Sequence, residues 1–172
     1  MKKARSVLYG LSALVIVAAA GGSYLLATQS MEQLVQCGTE DSDALVPSLC
    51  VSYLKLLRLD AVSISELQAG AGLDGVLNSQ GDNRYQVAEL LLQNGLDVDG
   101  VNHYGVEGGE HLTPLQAAIY YNDRQRIEFL LRHGADASVR DSQGRDALAL
   151  VGHLSAEHPG EDRSALLALF KR

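Results

Sequence analysis

The sequence contains no tryptophan and only two phenylalanines, and aromatic residues make up 5% of its 172 positions. Basic residues are also scarce beyond the N-terminus: after residue 30 the chain carries eleven Lys and Arg against 21 Asp and Glu. A body with this acidic excess lacks the clustered positive charge that nucleic-acid phosphates and anionic lipids attract. Apolar residues still make up 47% of the chain, which is enough for a packed core and excludes disorder by composition.

The chain has one long hydrophobic run, at residues 7–27, which contains no charged side chain. A helix over this run measures about 31 Å, close to the thickness of a bilayer's hydrocarbon core. Lys2, Lys3 and Arg5 precede the run and the first acidic residues follow it, which predicts a cytoplasmic N-terminus. We therefore expect an N-terminal unit at 1–30 with a single transmembrane helix at about 7–27.

A cleaved signal peptide is the alternative interpretation of this segment. Its charged region would be residues 1–6, its apolar region 7–17, and the alanines at 18–20 fit a small-residue cleavage site. Residues 21–27 remain uncharged beyond that site, which favours an uncleaved anchor. Both interpretations export the rest of the chain.

The two cysteines, Cys37 and Cys50, lie beyond the hydrophobic run. Their spacing lacks the second ligand pair that a zinc site requires. An exported compartment permits a disulfide, which would close a loop of about 14 residues and stabilise the fold by about 3 kcal/mol. We expect this pair to be bonded, with two buried free thiols as the alternative.

Two stretches of the body repeat each other, one at residues 86–99 and the other at residues 126–138. Each has adjacent leucines, then Gly95 or Gly134, then a short polar turn. Glycine suits the position after a helix end, where the backbone takes a positive φ. Upstream, Leu115 and Leu148 are 33 residues apart, a period typical of helical repeat proteins.

The best copy, TPLQAAIYYNDRQRIEFLLRHGADASVRD within residues 112–141, resembles the ankyrin-repeat family. Gln116 stands where that family has a His that ties neighbouring hairpins together, so the sequence leaves this bond open. The flanking copies depart further from the pattern. The resemblance, over 73–172, implies an all-α fold: a short ankyrin-like helical solenoid of about three imperfect repeats.

Residues 31–72 are expected to form a linker and an N-terminal helical cap. Leu49, Tyr53, Leu56 and Leu57 have helical spacing, and residues 63–66 read as a capping box that opens a second helix. Within the repeats, Thr113 and Asp146 are the predicted N-caps, and Pro114 suits the first helical position. Ile127, Leu130 and Leu131 form a predicted buried stripe, as do Val87, Leu90 and Leu91.

The separation of Gly95 and Gly134 exceeds the repeat period by six residues. The excess falls in an enlarged hairpin tip at 102–111, and the resemblance implies that partners bind at such tips and at the adjoining concave face. Exposed tyrosines at the end of the first helix add candidate hot spots, and Arg126 continues this charged surface. The candidate partner-binding residues are Tyr104, Glu107, Glu110, His111, Tyr120, Tyr121, Asp123 and Arg124.

No catalytic, cofactor-binding or metal-binding site is predicted. Residues 70–75 match G-x-G-x-x-G, but a dinucleotide fingerprint follows a strand and here a helix precedes it. The histidines lack metal-ligand spacing, although His103 and His111 flank the insertion. Neither cysteine has the features of a catalytic nucleophile.

Together these features predict a single-pass protein of the bacterial inner membrane with a periplasmic body. The expected function is non-enzymatic binding of another exported protein, one with basic character, as an immunity protein against an antibacterial effector. The alternatives are an accessory or scaffold protein for a periplasmic enzyme, of the kind that accompanies catalase, and a small envelope hydrolase. No cofactor, nucleic acid or small-molecule substrate is expected.

Overall fold

The structure is a computed structural model that describes residues 21–22, 24–40, 45–101 and 111–170. These residues form helices joined by turns and loops and contain no strand. Residues 24–27 are helical, and nine further helices follow within the described ranges: α1 Met31–Thr39, α2 Leu45–Leu57, α3 Ala61–Ala69, α4 Gly72–Leu77, α5 Arg84–Gln93, α6 Pro114–Tyr120, α7 Arg124–Arg132, α8 Ala147–Glu157 and α9 Ser164–Leu167.

Helices α1 to α3 form the cap. α1 was not predicted as a helix, but its capping box is complete: the Gln33 N–H donates to Ser30 Oγ (3.2 Å), and the Ser30 N–H donates to Gln33 Oε1 (2.9 Å). α1 packs on α2, α3 and α5. Cys37 of α1 and Cys50 of α2 are joined by a disulfide, with their Cα atoms 6.0 Å apart.

The predicted capping box at residues 63–66 is wrong. α3 begins three residues earlier than predicted, at Ala61, and its N-cap is Asp60, whose carboxylate accepts from the N–H groups of Val62 (3.0 Å) and Ser63 (3.1 Å). The Ser63 hydroxyl itself donates to Asp60 (2.8 Å). A carboxylate is a stronger acceptor than a hydroxyl, so Asp60 begins the helix and Ser63 lies inside its first turn.

The repeats are three helix pairs, α4 with α5, α6 with α7 and α8 with α9, which pack within each pair. The N-caps of α6 and α8 are Thr113 and Asp146, as predicted, and Pro114 occupies the first helical position of α6. Gly95 and Gly134 have φ values of +97° and +88°, so both positions favour glycine.

One continuous core runs from α1 through α9. In the two predicted stripes the central residues Val87, Leu91, Ile127 and Leu130 are buried, while Leu90 and Leu131 are half-buried at the margin. The core includes one buried leucine from each of eight helices: Leu34, Leu54, Leu67, Leu73, Leu91, Leu115, Leu150 and Leu166.

Among the described helices, each is too short or too polar to cross a membrane. The predicted transmembrane segment at 7–27 lies outside the described residues at 7–20 and at 23.

Candidate protein-binding site

The turns at 95–99 and 134–138, which we call the first and second tips, share one side-chain-to-backbone hydrogen bond. Asp97 Oδ1 accepts from the Asp99 N–H (3.0 Å), and Asp136 Oδ1 accepts from the Ser138 N–H (2.8 Å). An Asp that bonds the N–H two residues on stabilises a turn without a strand partner. The two tips therefore present the same turn, each starting from a positive-φ glycine, at equivalent positions of successive repeats.

The tips are also bonded to the cap and to each other. Gln68, on α3, accepts through Oε1 from the Asp97 N–H (3.0 Å). The Asp99 carboxylate accepts from the Asp136 N–H through both oxygens, at 3.0 and 3.1 Å. Cap, first tip and second tip thus form a hydrogen-bonded series, and we call its carboxylates Asp97, Asp99 and Asp136 the hairpin edge.

The hairpin edge concentrates negative charge. Burial raises the pKa of Asp99, and the neighbouring carboxylates of Asp97 and Asp136 act in the same direction. The Ser138 hydroxyl and N–H lower the pKa of Asp136. Asp97 and Asp136 are exposed and Asp99 is half-buried. This edge therefore favours contact with a basic surface.

Gln116 forms the bond that its sequence position left open. Its Nε2 donates to the Val139 carbonyl in the following hairpin (3.1 Å). The same side chain accepts from the Thr113 N–H through Oε1 (3.0 Å), which completes a capping box on α6. An amide can donate and accept at once, so one residue caps α6 and fixes the hairpin beyond it.

The candidate binding residues fall into two groups. Tyr104, Glu107 and Glu110 lie outside the described residues. His111 is exposed just before α6, whereas Tyr121 is 71% exposed at the opposite end of that helix. α6 has seven residues, so about 10 Å of helix separates the two ends.

The residues that follow Tyr121 have structural contacts of their own. Asp123 accepts from the Arg126 N–H (3.0 Å) and caps α7, and Arg124 forms an exposed ion pair with Glu128 (2.8 Å). Tyr120 is half-buried, and its hydroxyl accepts from Arg145 (3.3 Å). At this end of α6, Tyr121 is the large apolar surface available to a partner.

Arg126 does not belong to the exposed surface that the sequence predicted. Its side chain is 3% exposed, pairs with the Asp74 carboxylate of α4 and donates to Asn78 Oδ1 (2.7 Å). Asp74 lies within the glycine-rich run at 70–75, so that run serves packing between repeats. The local sequence gave no signal for this pair, because its members are 52 positions apart.

A second buried arginine closes the C-terminal repeat. Arg163 is 3% exposed and donates to the carbonyls of Ile119 and Tyr120, the last residues of α6, while it pairs with Glu161 (2.6 Å). A cation is favoured at a helix C-terminus, where carbonyl groups lack helical partners. Across the described ranges, no group of three or more His, Cys, Asp or Glu is arranged to hold a metal ion.

Comparisons with known proteins agree with this architecture. Residues 79–131 match the family model described as Ankyrin repeats (many copies). Palmitoyltransferase AKR1 of Lachancea kluyveri is 30% identical over 124 residues, which is 64% of this chain and 16% of that protein. Alpha-latrotoxin-Lg1a of Latrodectus geometricus is 28% identical over 75 residues, which is 44% of this chain and 5% of the toxin. The chain thus spans a small part of either relative, and its residues 79–131 are similar to ankyrin repeats.

Proposed function

We propose that the chain is a non-enzymatic binding protein on the periplasmic face of a bacterial inner membrane, where it acts as an immunity protein against an exported effector. Ankyrin repeats are protein–protein interaction modules. The palmitoyltransferase relative is covered over only 16% of its length, so its name gives no support for an enzymatic activity of this chain.

The hairpin edge is the observation that carries the proposal. Asp97, Asp99 and Asp136 lie on turns that are bonded to each other and to the cap. A rigid row of carboxylates binds a basic protein without losing much conformational freedom. The acidic excess of the body extends the attraction beyond the contact and speeds capture of a cationic effector.

The export part of the proposal is supported by the sequence and by the cap. The basic N-terminus followed by an uncharged run at 7–27 is typical of a signal anchor. The disulfide between Cys37 and Cys50 is of a kind that persists in oxidising compartments. A tether would place the binding surface at the membrane that the effector must reach.

The test is recovery of the partner from native membranes. Full-length tagged protein is purified in mild detergent from cells that express effectors, and mass spectrometry identifies what accompanies it. We expect one stoichiometric basic exported protein whose toxicity the purified chain abolishes. A stoichiometric envelope enzyme that the chain leaves uninhibited would overturn the immunity role in favour of an accessory one, and recovery of no partner would overturn both.

The hairpin edge is tested with a double variant and with a control that has the same type of substitution at another turn. Asp97→Asn with Asp136→Asn keeps both turn acceptors but removes two negative charges, so we expect slower capture of the partner and weaker dependence on salt. The control is Asp162→Asn, because Asp162 makes the same kind of bond, to the Ser164 N–H (2.9 Å), away from the edge. Equal association rates for the two proteins would refute the assigned surface.

A further inference from the structure

Helix α2 carries apolar residues on two sides. Pro47, Cys50 and Leu54 face the core and are buried. At 100° per residue, the exposed apolar residues fall on a neighbouring arc of about 120°. We call this arc the outer face of α2, and its residues are Leu45, Val46, Leu49, Leu56 and Leu57, each between 50% and 78% exposed.

An exposed apolar surface of this extent marks a contact with another apolar phase. Val62, in the first turn of α3, is 68% exposed and follows the C-terminal end of α2 by five residues. One apolar side of α2 is therefore buried in the core of the cap, and the other apolar side, the outer face, is exposed. None of the described helices covers it.

The position of the outer face indicates what covers it. Arg58, immediately after α2, donates through Nη1 to the carbonyl of Gln29 (3.4 Å). Gln29 lies two residues beyond the uncharged run at 7–27, and Leu26, within that run, packs against the core. The end of α2 that carries Leu56 and Leu57 is thus held beside the point where the hydrophobic run ends.

The disulfide fixes the rest of α2 relative to the same point. Cys37 lies on α1, which begins at Met31, and Cys50 lies in the middle of α2. α1 and α2 also pack along each other. The outer face therefore cannot turn away from the end of the hydrophobic run without breaking a covalent bond.

The charge of α2 differs from that of the body. Its 13 residues include one charged side chain, Lys55, and no carboxylate, whereas the body as a whole is strongly acidic. An anionic lipid surface repels carboxylates. The outer face can approach lipid without that repulsion, while the hairpin edge cannot.

We propose that the outer face of α2 lies in the lipid headgroup and acyl-chain boundary of the bilayer that the 7–27 segment enters. This rests on the membrane tether of the proposed function. An amphipathic helix in the interface buries its apolar side chains and keeps its axis in the membrane plane. Contact at α2 would set the tilt of the repeats, so that the binding surface has a fixed orientation above the membrane.

The absence of tryptophan gives a direct test. Full-length variants with one tryptophan each, Leu49→Trp and Leu56→Trp, are reconstituted into phosphatidylcholine and phosphatidylglycerol vesicles with brominated acyl chains. The matched control is Lys55→Trp, on the same helix but outside the outer face. We expect blue-shifted emission and about threefold stronger quenching by bromine at positions 49 and 56 than at position 55.

Each contrary result has a separate meaning. Vesicle-bound protein with equally weak quenching at all three positions would overturn the lipid contact and leave the tether intact. Blue-shifted emission without bromine quenching would show that protein, from a second copy or from residues 1–20, covers the face instead. A chain that does not float with vesicles would overturn the tether as well. Because all three positions are exposed, circular dichroism and urea unfolding should match the wild type.

Discussion

The Gln116 side chain donates a hydrogen bond to the Val139 carbonyl, 3.1 Å away, and so joins the start of α6 to the following hairpin. The same amide completes the capping box with Thr113. One side chain thus stabilises a helix terminus and an inter-repeat contact, and both are lost together when it is truncated.

We predict that Gln116→Ala lowers the free energy of unfolding by about 2 kcal/mol, because it removes the reciprocal cap and leaves the buried Thr113 N–H unpaired. Urea unfolding measures this. Gln116→His is the control, since an imidazole N–H can still donate to Val139 and the loss should be smaller. An alanine variant as stable as the wild type would show that these bonds contribute nothing net.

The buried pair of Arg126 and Asp74 gives a second prediction. Arg126→Ala removes the cation that pairs with the Asp74 carboxylate, whose side chain is 10% exposed, and we expect a loss of about 3–5 kcal/mol. Arg126→Met with Asp74→Leu should regain most of that stability, because it removes both buried charges.

The control for this pair is Arg124→Met, two residues before Arg126 in the sequence. This substitution breaks the exposed ion pair between Arg124 and Glu128. Those side chains are 60% and 44% exposed, so we expect a change of about 0.5 kcal/mol or less. Similar losses for Arg124→Met and Arg126→Ala in equilibrium unfolding would contradict the importance of burial.

The raised pKa of Asp99 predicts a pH dependence with a defined sign. The folded state binds the Asp99 proton more tightly than the unfolded state, so this residue's contribution to stability falls as pH rises from 3.8 through the folded pKa. Asp99→Asn keeps an acceptor for the Asp136 N–H and removes the charge. We expect the variant to gain stability relative to the wild type as pH rises from 4 to 7 in urea titrations.

Asp60 is the control for Asp99, because hydrogen bonds from Ser63 lower its pKa. A pKa that is lowered in the folded state stabilises the fold above pH 3.8. This stabilisation is lost as the pH falls through the pKa of the folded state. Asp60→Asn should therefore match the wild type most closely at acidic pH. Parallel pH profiles for the two variants would refute the assigned environments.

Loss of the disulfide should destabilise the fold by about 3 kcal/mol, because a bridge across 13 positions restricts the unfolded chain. The double variant Cys37→Ser with Cys50→Ser is compared in urea with wild-type protein that is oxidised or reduced by dithiothreitol. Reduced wild type and variant should have the same midpoint. If dithiothreitol lowered the midpoint of the variant as well, the effect would not arise from this bond.

Tyr121→Ala should weaken binding of the partner about tenfold without changing stability, because its ring is 71% exposed. Isothermal titration calorimetry with the partner recovered from membranes measures the Kd. Tyr120→Phe is the comparison: it removes the hydroxyl that accepts from Arg145 but keeps the half-buried ring, so affinity should change little. Unchanged affinity in Tyr121→Ala would exclude this end of α6 from the interface.

The features that the sequence predicted well depend on local chemistry. Thr113, Pro114 and Asp146 begin helices as expected, and Gly95 and Gly134 take positive φ, since each requirement involves only neighbouring residues. α1 was missed although Ser30 and Gln33 carry the capping pattern, because it lies in a stretch read as linker. Its signal was present and needed no tertiary information.

The features that the sequence could not predict depend on distant partners. Arg126 looks like a surface residue beside Arg124 until Asp74, from the preceding repeat, is placed against it. Helix periodicity likewise places Leu49 and Leu56 on one arc of α2, but it cannot say which of two apolar arcs faces the core. Packing of α1 settles that choice, and α1 was itself unpredicted.

The disulfide also determines how the cap responds to tension. Thirteen positions separate Cys37 from Cys50, and that chain could extend to about 45 Å, whereas the bonded Cα atoms are 6.0 Å apart. A pull between residue 27 and the repeats therefore passes through the two sulfur atoms, and residues 38–49 carry no load. The segment between the two cysteines therefore cannot lengthen under load, and its extensible length of about 40 Å becomes available only when the bond is reduced.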